Sequence, residues 1–506
     1  KPRTRGERDL RRRELRMASA VHPLLHELGE AQRLLKDSRT PRATAALQSA
    51  HDDILAELVC DLADAQKLRQ LAATDKAKSL LDAVIKSLES ALPAISALPT
   101  PLLLDPALDP HEWPEAPPID EPGCWRPPTH ALRTVPRCDA GSEEARRLLV
   151  AKRPVVLTSA ALVARAVGKW TPDFLSREMG ALPCTVYKSP SRFFRYWDDE
   201  KNEGGYEFGD DAHTEKLTMS MADFAELLRA REAAAADIYA AADDAATGAA
   251  SSSSSYHYLQ TALVDGVGAS MLADFRAFDW KWLSEWQTEL GWSALTSNLL
   301  LVGEKGNVTP AHYDEQQNFF AQLCGRKRVI LFPPGEFGAL YPFPVHHPND
   351  RQSQVDLYAY ETDADARRRF PRFAGVRGVE ALLGPGDVLH IPQYWWHHIE
   401  NLDHGCVSLN FWFKDSGAGA AAAPPPTLPL ADAQHLAMRR NIEKLVAQAV
   451  GAAAARTALP ALARDAADLP PDVAAMRTEV VELLGYVLPK EEIDGWLREL
   501  VEGRFA

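Results

Sequence analysis

The stretch from Thr309 to Phe332 limits the fold of this chain more than any other. It opens as Thr309-Pro310-Ala311-His312-Tyr313-Asp314, continues as Glu315-Gln316-Gln317-Asn318-Phe319-Phe320, and ends in Gly325-Arg326-Lys327-Arg328-Val329-Ile330-Leu331-Phe332. Phe319 to Leu323 and Arg328 to Phe332 are short apolar and aromatic runs of strand type, and Cys324-Gly325-Arg326 supplies a turn between them. If His312 to Asp314 is extended too, the two-residue period of a strand puts the imidazole and the carboxylate on one face. The triplet alone is a weak signal, since His51-Asp52-Asp53 is a second copy. That copy lies in a helical pattern, where positions two apart diverge, and reads as solvated surface.

The flanks bound the domain that holds this stretch. From Leu10 to Leu92 apolar residues recur at three and four, so residues 1–98 read as a helical accessory region. Nine prolines between Pro93 and Pro122 mark residues 99–123 as a linker. Residues 124–414 carry many short strands with turn chemistry between them, among them Pro154 to Thr158, Cys184 to Tyr187, Asn298 to Val302 and Trp395 to Ile399. That pattern predicts a mainly β core closed as a double-sheet jelly roll, flanked by helices, with a low-complexity insertion at about 232–255. An Ala/Pro linker (415–426) then leads to a C-terminal helical region, 427–506. Its apolar positions Met438, Ile442, Leu445, Val446 and Ala449, then Ile493, Trp496, Leu497, Leu500 and Val501, recur at helix spacing.

The formal net charge is -14, from 70 acidic and 56 basic residues, which disfavours a nucleic-acid groove as the main surface. Six scattered cysteines without a Cys-x-x-Cys fit thiols in a reducing compartment, and no apolar run of ~18 residues offers a membrane span. The expected location is the cytoplasm, with the nucleus as a second compartment.

His397 and His398 offer the third ligand that His312 and Asp314 lack. In an extended strand only one of the pair can share their face. Two imidazoles and a carboxylate on a β scaffold match the facial arrangement of non-haem Fe(II) oxygenases, while zinc accepts the same donors. Such an iron can be chelated by a 2-oxo acid, whose far carboxylate then needs a cation and hydroxyls. Lys327 is suited to be that point charge, with Thr309 and Tyr258 as hydroxyls and Asn318 and Asn410 as polar residues in otherwise apolar strands.

These runs, together with Tyr341-Pro342, Pro344-Val345-His346-His347-Pro348, Asp350 to Asp356, Gly384 to Leu389 and Tyr394 to Glu400, closely resemble the factor-inhibiting HIF family. Its members are JmjC/cupin-type 2-oxoglutarate oxygenases that hydroxylate asparagine in hypoxia-inducible factor and in ankyrin repeats. The resemblance runs from about Trp125 to Lys414, with echoes at Asn441 to Lys444 and Gly503 to Phe505. It implies Fe(II) on His312, Asp314 and His397, the first of the histidine pair, and 2-oxoglutarate on Lys327, Tyr258, Thr309, Asn318 and Asn410. It further implies that Arg351 and Gln352 grip the target amide, and that Tyr196, Trp412, Gln260 and Asp198 contact the peptide. The C-terminal helices would make a homodimer.

Some positions depart from the family. Its Tyr-Tyr-Asp reads Tyr196-Trp197-Asp198 here, the stretch after Gln260 reads Thr261-Ala262, and the loop before Asn410 is shorter. These bear on peptide selectivity rather than on the metal. The expected reaction consumes O2 and 2-oxoglutarate, yields succinate and CO2, and places a hydroxyl on an asparaginyl or related side chain of an ankyrin-repeat or HIF-like protein. Two rivals stay open, a JmjC-type lysine demethylase and a non-catalytic metal-binding cupin module.

Overall fold

A computed structural model describes residues 108–119, 123–125, 132–198, 200, 202, 206, 214–241, 255–263, 267–415, 430–485 and 487–505. The accessory region, about half of the first linker, the core of the serine-rich insertion and nearly all of the Ala/Pro linker lie outside them. The chain divides into two units, residues 1–105 with 417–431 and residues 106–416 with 432–506. The second holds the strands and the C-terminal helices together.

Fourteen strands are described: β1 (Arg133–Thr134), β2 (Arg137–Asp139), β3 (Val155–Thr158), β4 (Pro183–Ser189), β5 (Glu215–Ser220), β6 (Tyr256–Ala262), β7 (Trp292–Gly303), β8 (Val308–Tyr313), β9 (Gln317–Cys324), β10 (Lys327–Phe332), β11 (Val379–Leu383), β12 (Val388–Ile391), β13 (Trp396–Asn401) and β14 (Cys406–Asp415). One sheet has the order β1-β11-β10-β13-β8, the other β2-β3-β12-β9-β14-β7-β6-β4-β5. This is the mainly β, jelly-roll architecture with flanking helices that the strand pattern predicts.

The turn at Cys324-Gly325-Arg326 does not close a hairpin. β9 pairs with β12 and β14, whereas β10 pairs with β11 and β13, so the turn carries the chain from one sheet into the other. Gly325 has φ +69°, and a Cβ there would meet Cys406 Sγ at 2.8 Å, so backbone conformation and space both require glycine. The other predicted turn, Gly384 to Asp387, forms with Gly386 at φ +98° and with the Gly384 N–H donating to Asp387 Oδ2 at 2.8 Å.

Alternation assigns the faces of the smaller sheet. Ala311 and Tyr313 of β8, Ile330 and Phe332 of β10 and Trp396 of β13 join Phe337, Leu340, Phe373 and Leu436 in an apolar cluster on its outer side. The residues between them, Pro310, His312 and His397, face the interior between the sheets.

The helix Met221–Ala241 runs into the start of the predicted insertion. Alanine is the strongest helix former, so the alanine-rich repeat there extends a helix.

In the C-terminal region the helical period is present, and much of its apolar face turns into the same unit. Leu436, Ile442, Val446, Ile493, Trp496, Leu497, Leu500 and Val501 are buried within the chain, while Leu445 and Leu483 are 48% and 50% exposed. Arg439 lies over the rings of both Trp496 and Phe337. Trp496→Ala is therefore expected to cost about 3–5 kcal/mol, read as a lower melting temperature at every protein concentration.

Candidate metal centre

β8 and β13 are antiparallel neighbours, and their register sets His312 directly opposite His397. Asp314 follows β8 by one residue, and its backbone is tied by the Tyr394 N–H donating to its carbonyl at 2.9 Å. The ligand atoms of the three side chains lie within 4.8 Å of one another, with His397 Nε2 3.8 Å from Asp314 Oδ2.

Both rings are oriented from behind. His312 Nδ1 is 2.8 Å from the Pro310 carbonyl, and His397 Nδ1 is 3.0 Å from the Trp395 carbonyl. A carbonyl only accepts, so each Nδ1 carries the proton and each Nε2 keeps its lone pair.

Burial drives His312 down to about 3, with the adjacent His397 adding to it, and burial lowers His397 as well. Neutral imidazoles are what a divalent cation requires. Burial alone would raise Asp314, but His397, His312 and Arg351 outweigh it and hold the carboxyl below the usual range. Trp412 Nε1 donates to Asp314 Oδ2 at 3.3 Å, and Arg351 Nη1 lies 3.5 Å from Oδ1.

His398 points the other way. Its Nε2 is 3.4 Å from Glu400 and 3.4 Å from the Tyr358 hydroxyl, in a buried network with Arg328 and Glu380.

The triad opens into a cavity of ≈ 200 Å³, well above the ~10–15 Å³ that one water needs. Thr309, Pro310, His312, His397 and Ile399 line it from the smaller sheet, and Tyr258, Gln260, Leu299, Leu301, Asn318, Phe320, Ile391, Asn410 and Trp412 from the larger. Lys327 stands immediately behind that lining. It is fully buried, its Nζ 3.4 Å from the Tyr258 hydroxyl and 5.2 Å from the centre of the Phe320 ring, and among the described residues it has no carboxylate partner. Burial lowers its pKa from 10.5 to about 8. Tyr258, its phenol raised by burial, is also hydrogen-bonded to Thr309.

The side-chain oxygens of Asn318 and Asn410 are buried without a hydrogen-bond partner. A buried cation behind the lining and two amides on it, whose N–H groups can donate, fit a small anion beside a metal.

The residues expected at the peptide end separate into two groups. Tyr196, Gln260, Arg351, Gln352 and Trp412 line the cavity, whereas Asp198 does not. Asp198 stands one contact further out, accepting from the Tyr196 hydroxyl at 3.3 Å. Gln352 is buried, bridges to His312 across the edge of β8, and donates its amide N–H to the Tyr196 carbonyl.

Asp350 also lines the cavity, with Arg440 of the C-terminal helix Asp432–Val450 behind it. Sequence reasoning missed this pair. The available signal was a set of charged residues, Arg439, Arg440 and Glu443, at the three- and four-residue spacing from Leu436 where an apolar face is expected.

The cupin-like domain family matches residues 141–419, more than half of the chain. Lysine-specific demethylase 8 of Xenopus tropicalis is 40% identical over 115 residues, 22% of this chain and 24% of that protein. HSPB1-associated protein 1 of Homo sapiens is 36% identical over 116 residues, 23% of each chain. Jumonji C domain-containing protein 5 of Drosophila melanogaster is 33% identical over 113 residues, 22% of this chain and 26% of its own. The chain thus spans about a quarter of the length of these curated relatives. No described helix is long and apolar enough to cross a membrane. With its two sheets and the extent of the match together, the chain belongs to the cupin-like domain family.

Proposed function

We propose that the chain is an Fe(II)- and 2-oxoglutarate-dependent protein hydroxylase acting on an asparaginyl or related side chain of ankyrin-repeat or HIF-like proteins. The observation that carries the oxygenase reading is Lys327, a buried cation without a carboxylate partner among the described residues, behind a cavity that ends at two neutral imidazoles and a carboxylate. Zinc would be content with the triad, but a cationic anchor beyond it answers to an anionic cosubstrate.

In this reading His312, Asp314 and His397 hold iron. Lys327, Tyr258 and Thr309 hold the far carboxylate of 2-oxoglutarate, and Asn318 and Asn410 can donate amide N–H groups to the same molecule. When bound, the metal and its 2-oxo acid supply the oxidising power that inserts one oxygen of O2 into a C–H bond, with succinate and CO2 as coproducts.

The protein's share is positioning. The carbonyls of Pro310 and Trp395 keep both rings in the tautomer that presents Nε2. A carboxylate beside Lys327 would restore its ordinary protonation. At the cavity mouth the Arg351 guanidinium can donate to a target amide oxygen. The Gln352 carbonyl oxygen can accept from the amide nitrogen, its own N–H being engaged by Tyr196. Tyr196, Trp412 and Gln260 would flank the peptide, with Asp198 steadying Tyr196.

A second reading, demethylation of methyl-lysine, is favoured by the similarity to lysine-specific demethylase 8. Charge at the mouth opposes it. Among the described residues, the acids lining the cavity are Asp314, a candidate ligand, and Asp350, paired with Arg440, while Arg195 and Arg351 are cations there. A neutral amide enters without that repulsion. A third reading, a structural metal in a non-catalytic module, leaves the buried Lys327 charge without a role.

Purified protein given Fe(II), 2-oxoglutarate and O2 with ankyrin-type and methylated histone peptides should add one oxygen to an asparaginyl residue. Loss of a methylene from the lysine peptide would reverse the order of the first two readings, and peptide-independent or absent succinate would sink both. A homodimer through the C-terminal helices belongs to the proposal, supported by the exposed Leu445 and Leu483. Light scattering that returned a monomer mass would remove it.

A further inference from the structure

Arg440 sits on the helix Asp432–Val450 and is 4% exposed, yet its whole guanidinium is bonded. Nη1 and Nη2 form a fork on Asp350, at 2.6 and 3.0 Å to its two oxygens. Nη1 also donates to the Tyr313 hydroxyl at 2.9 Å, and Nε to Glu315 at 2.9 Å. All three acceptors are chain neighbours of site residues. Tyr313 lies between His312 and Asp314, Glu315 follows Asp314, and Asp350 precedes Arg351.

The two segments so gripped touch each other. The Tyr313 N–H donates to the Arg351 carbonyl at 3.1 Å, and the Arg351 guanidinium reaches Asp314. Arg351 itself has φ +71°, a left-handed conformation that costs a non-glycine residue ~1–3 kcal/mol and persists only where its surroundings enforce it. The forked Asp350 immediately before it is a charge-assisted constraint on that segment.

We infer that Arg440 is a positioning residue for the site. It locks Asp314 and Arg351 against each other, so that the C-terminal helix sets both a metal ligand and the group that faces the target amide. The inference rests on the reading of His312, Asp314 and His397 as metal ligands. A lysine in its place keeps the charge but cannot reproduce the fork together with the bonds to Tyr313 and Glu315.

The test uses the full chain, Co(II) as probe, and the variants Arg440→Lys and Asp350→Asn. Calorimetric titration should show Co(II) affinity reduced about tenfold or more in each variant, the size of loss expected for a partner that orients a ligand. The ligand-field absorption of bound Co(II) should change. In turnover, KM for the asparagine peptide should rise more than KM for 2-oxoglutarate, whose anchor at Lys327 is untouched. The double variant should be no worse than the more impaired single one, because both remove one shared interaction.

Folded variants with wild-type Co(II) affinity and unchanged peptide KM overturn the inference. Wild-type protein that binds no Co(II) overturns the triad reading instead, and this inference with it. Should either variant fail to fold, Tyr313→Phe and Glu315→Ala each remove one acceptor and leave the Asp350 fork. Weakened Co(II) binding in both supports the role of Arg440, and wild-type binding in both overturns it.

Discussion

His397→Ala and Asp314→Ala are each expected to lower metal affinity and peptide-dependent succinate formation by ~100-fold or more, while the melting temperature stays close to that of the parent protein. An outer partner of a ligand is worth 10–100-fold in affinity, so loss of the ligand itself lies at or beyond the upper end of that range. Stability is spared for a local reason. The His397 and His312 rings, 4.1 Å apart, are desolvated polar groups facing a cavity, and space vacated there opens into that cavity.

The neighbouring histidine makes the control. His398 faces the outer side and contacts Glu400 and Tyr358, so His398→Ala should cost ~1–3 kcal/mol of stability and retain Co(II) binding. Titration calorimetry and thermal melts on the three variants check this. Metal loss in His398→Ala with retention in His397→Ala would reverse the assigned faces.

That contrast also shows what a sequence makes legible. The alternation of a strand suffices to put His312 and Asp314 on one side and to divide His397 from His398, because side-chain direction is a local property. Partnership between strands is not local. The run through Cys324-Gly325-Arg326 reads as a turn, yet nothing in it says that β9 and β10 belong to different sheets, since either pairing satisfies the same apolar runs. Nor does helix period name the surface that a face covers. Ile493, Trp496 and Leu500 have the spacing expected of a dimer seam, and they are buried within the chain.

Charged residues at apolar spacing hid the most. Arg440 looks like an interruption of the face that contains Leu436, and only the fold shows Asp350 and Tyr313 waiting for it. Asp198, matched by position to a peptide contact, lies outside the cavity lining and accepts from the Tyr196 hydroxyl.

Lys327→Met is expected to stabilise the protein without ligand and to disable its use of 2-oxoglutarate. Burial lowers the folded-state pKa of Lys327 from 10.5 to about 8. Between those values the unfolded chain binds more protons than the folded one, so wild-type stability rises with pH across that window. Below pH 8 the penalty of the buried charge is fully present, on the order of 3 kcal/mol, and above 10.5 it is gone. Methionine keeps most of the volume and removes the charge. The variant should therefore be more stable at neutral pH by about that amount, and its stability should lack the alkaline rise. Turnover should respond in the opposite sense. A charge-assisted hydrogen bond is worth ~1.5–3 kcal/mol, so KM for 2-oxoglutarate should increase by ~10–100-fold, with Co(II) affinity unchanged because the triad is intact. Thermal melts from neutral to alkaline pH and 2-oxoglutarate titrations at saturating peptide read both effects. A destabilised Lys327→Met with an unaltered KM would mean that the ammonium is satisfied within the fold, and the cavity would then have no anchor for an anionic cosubstrate.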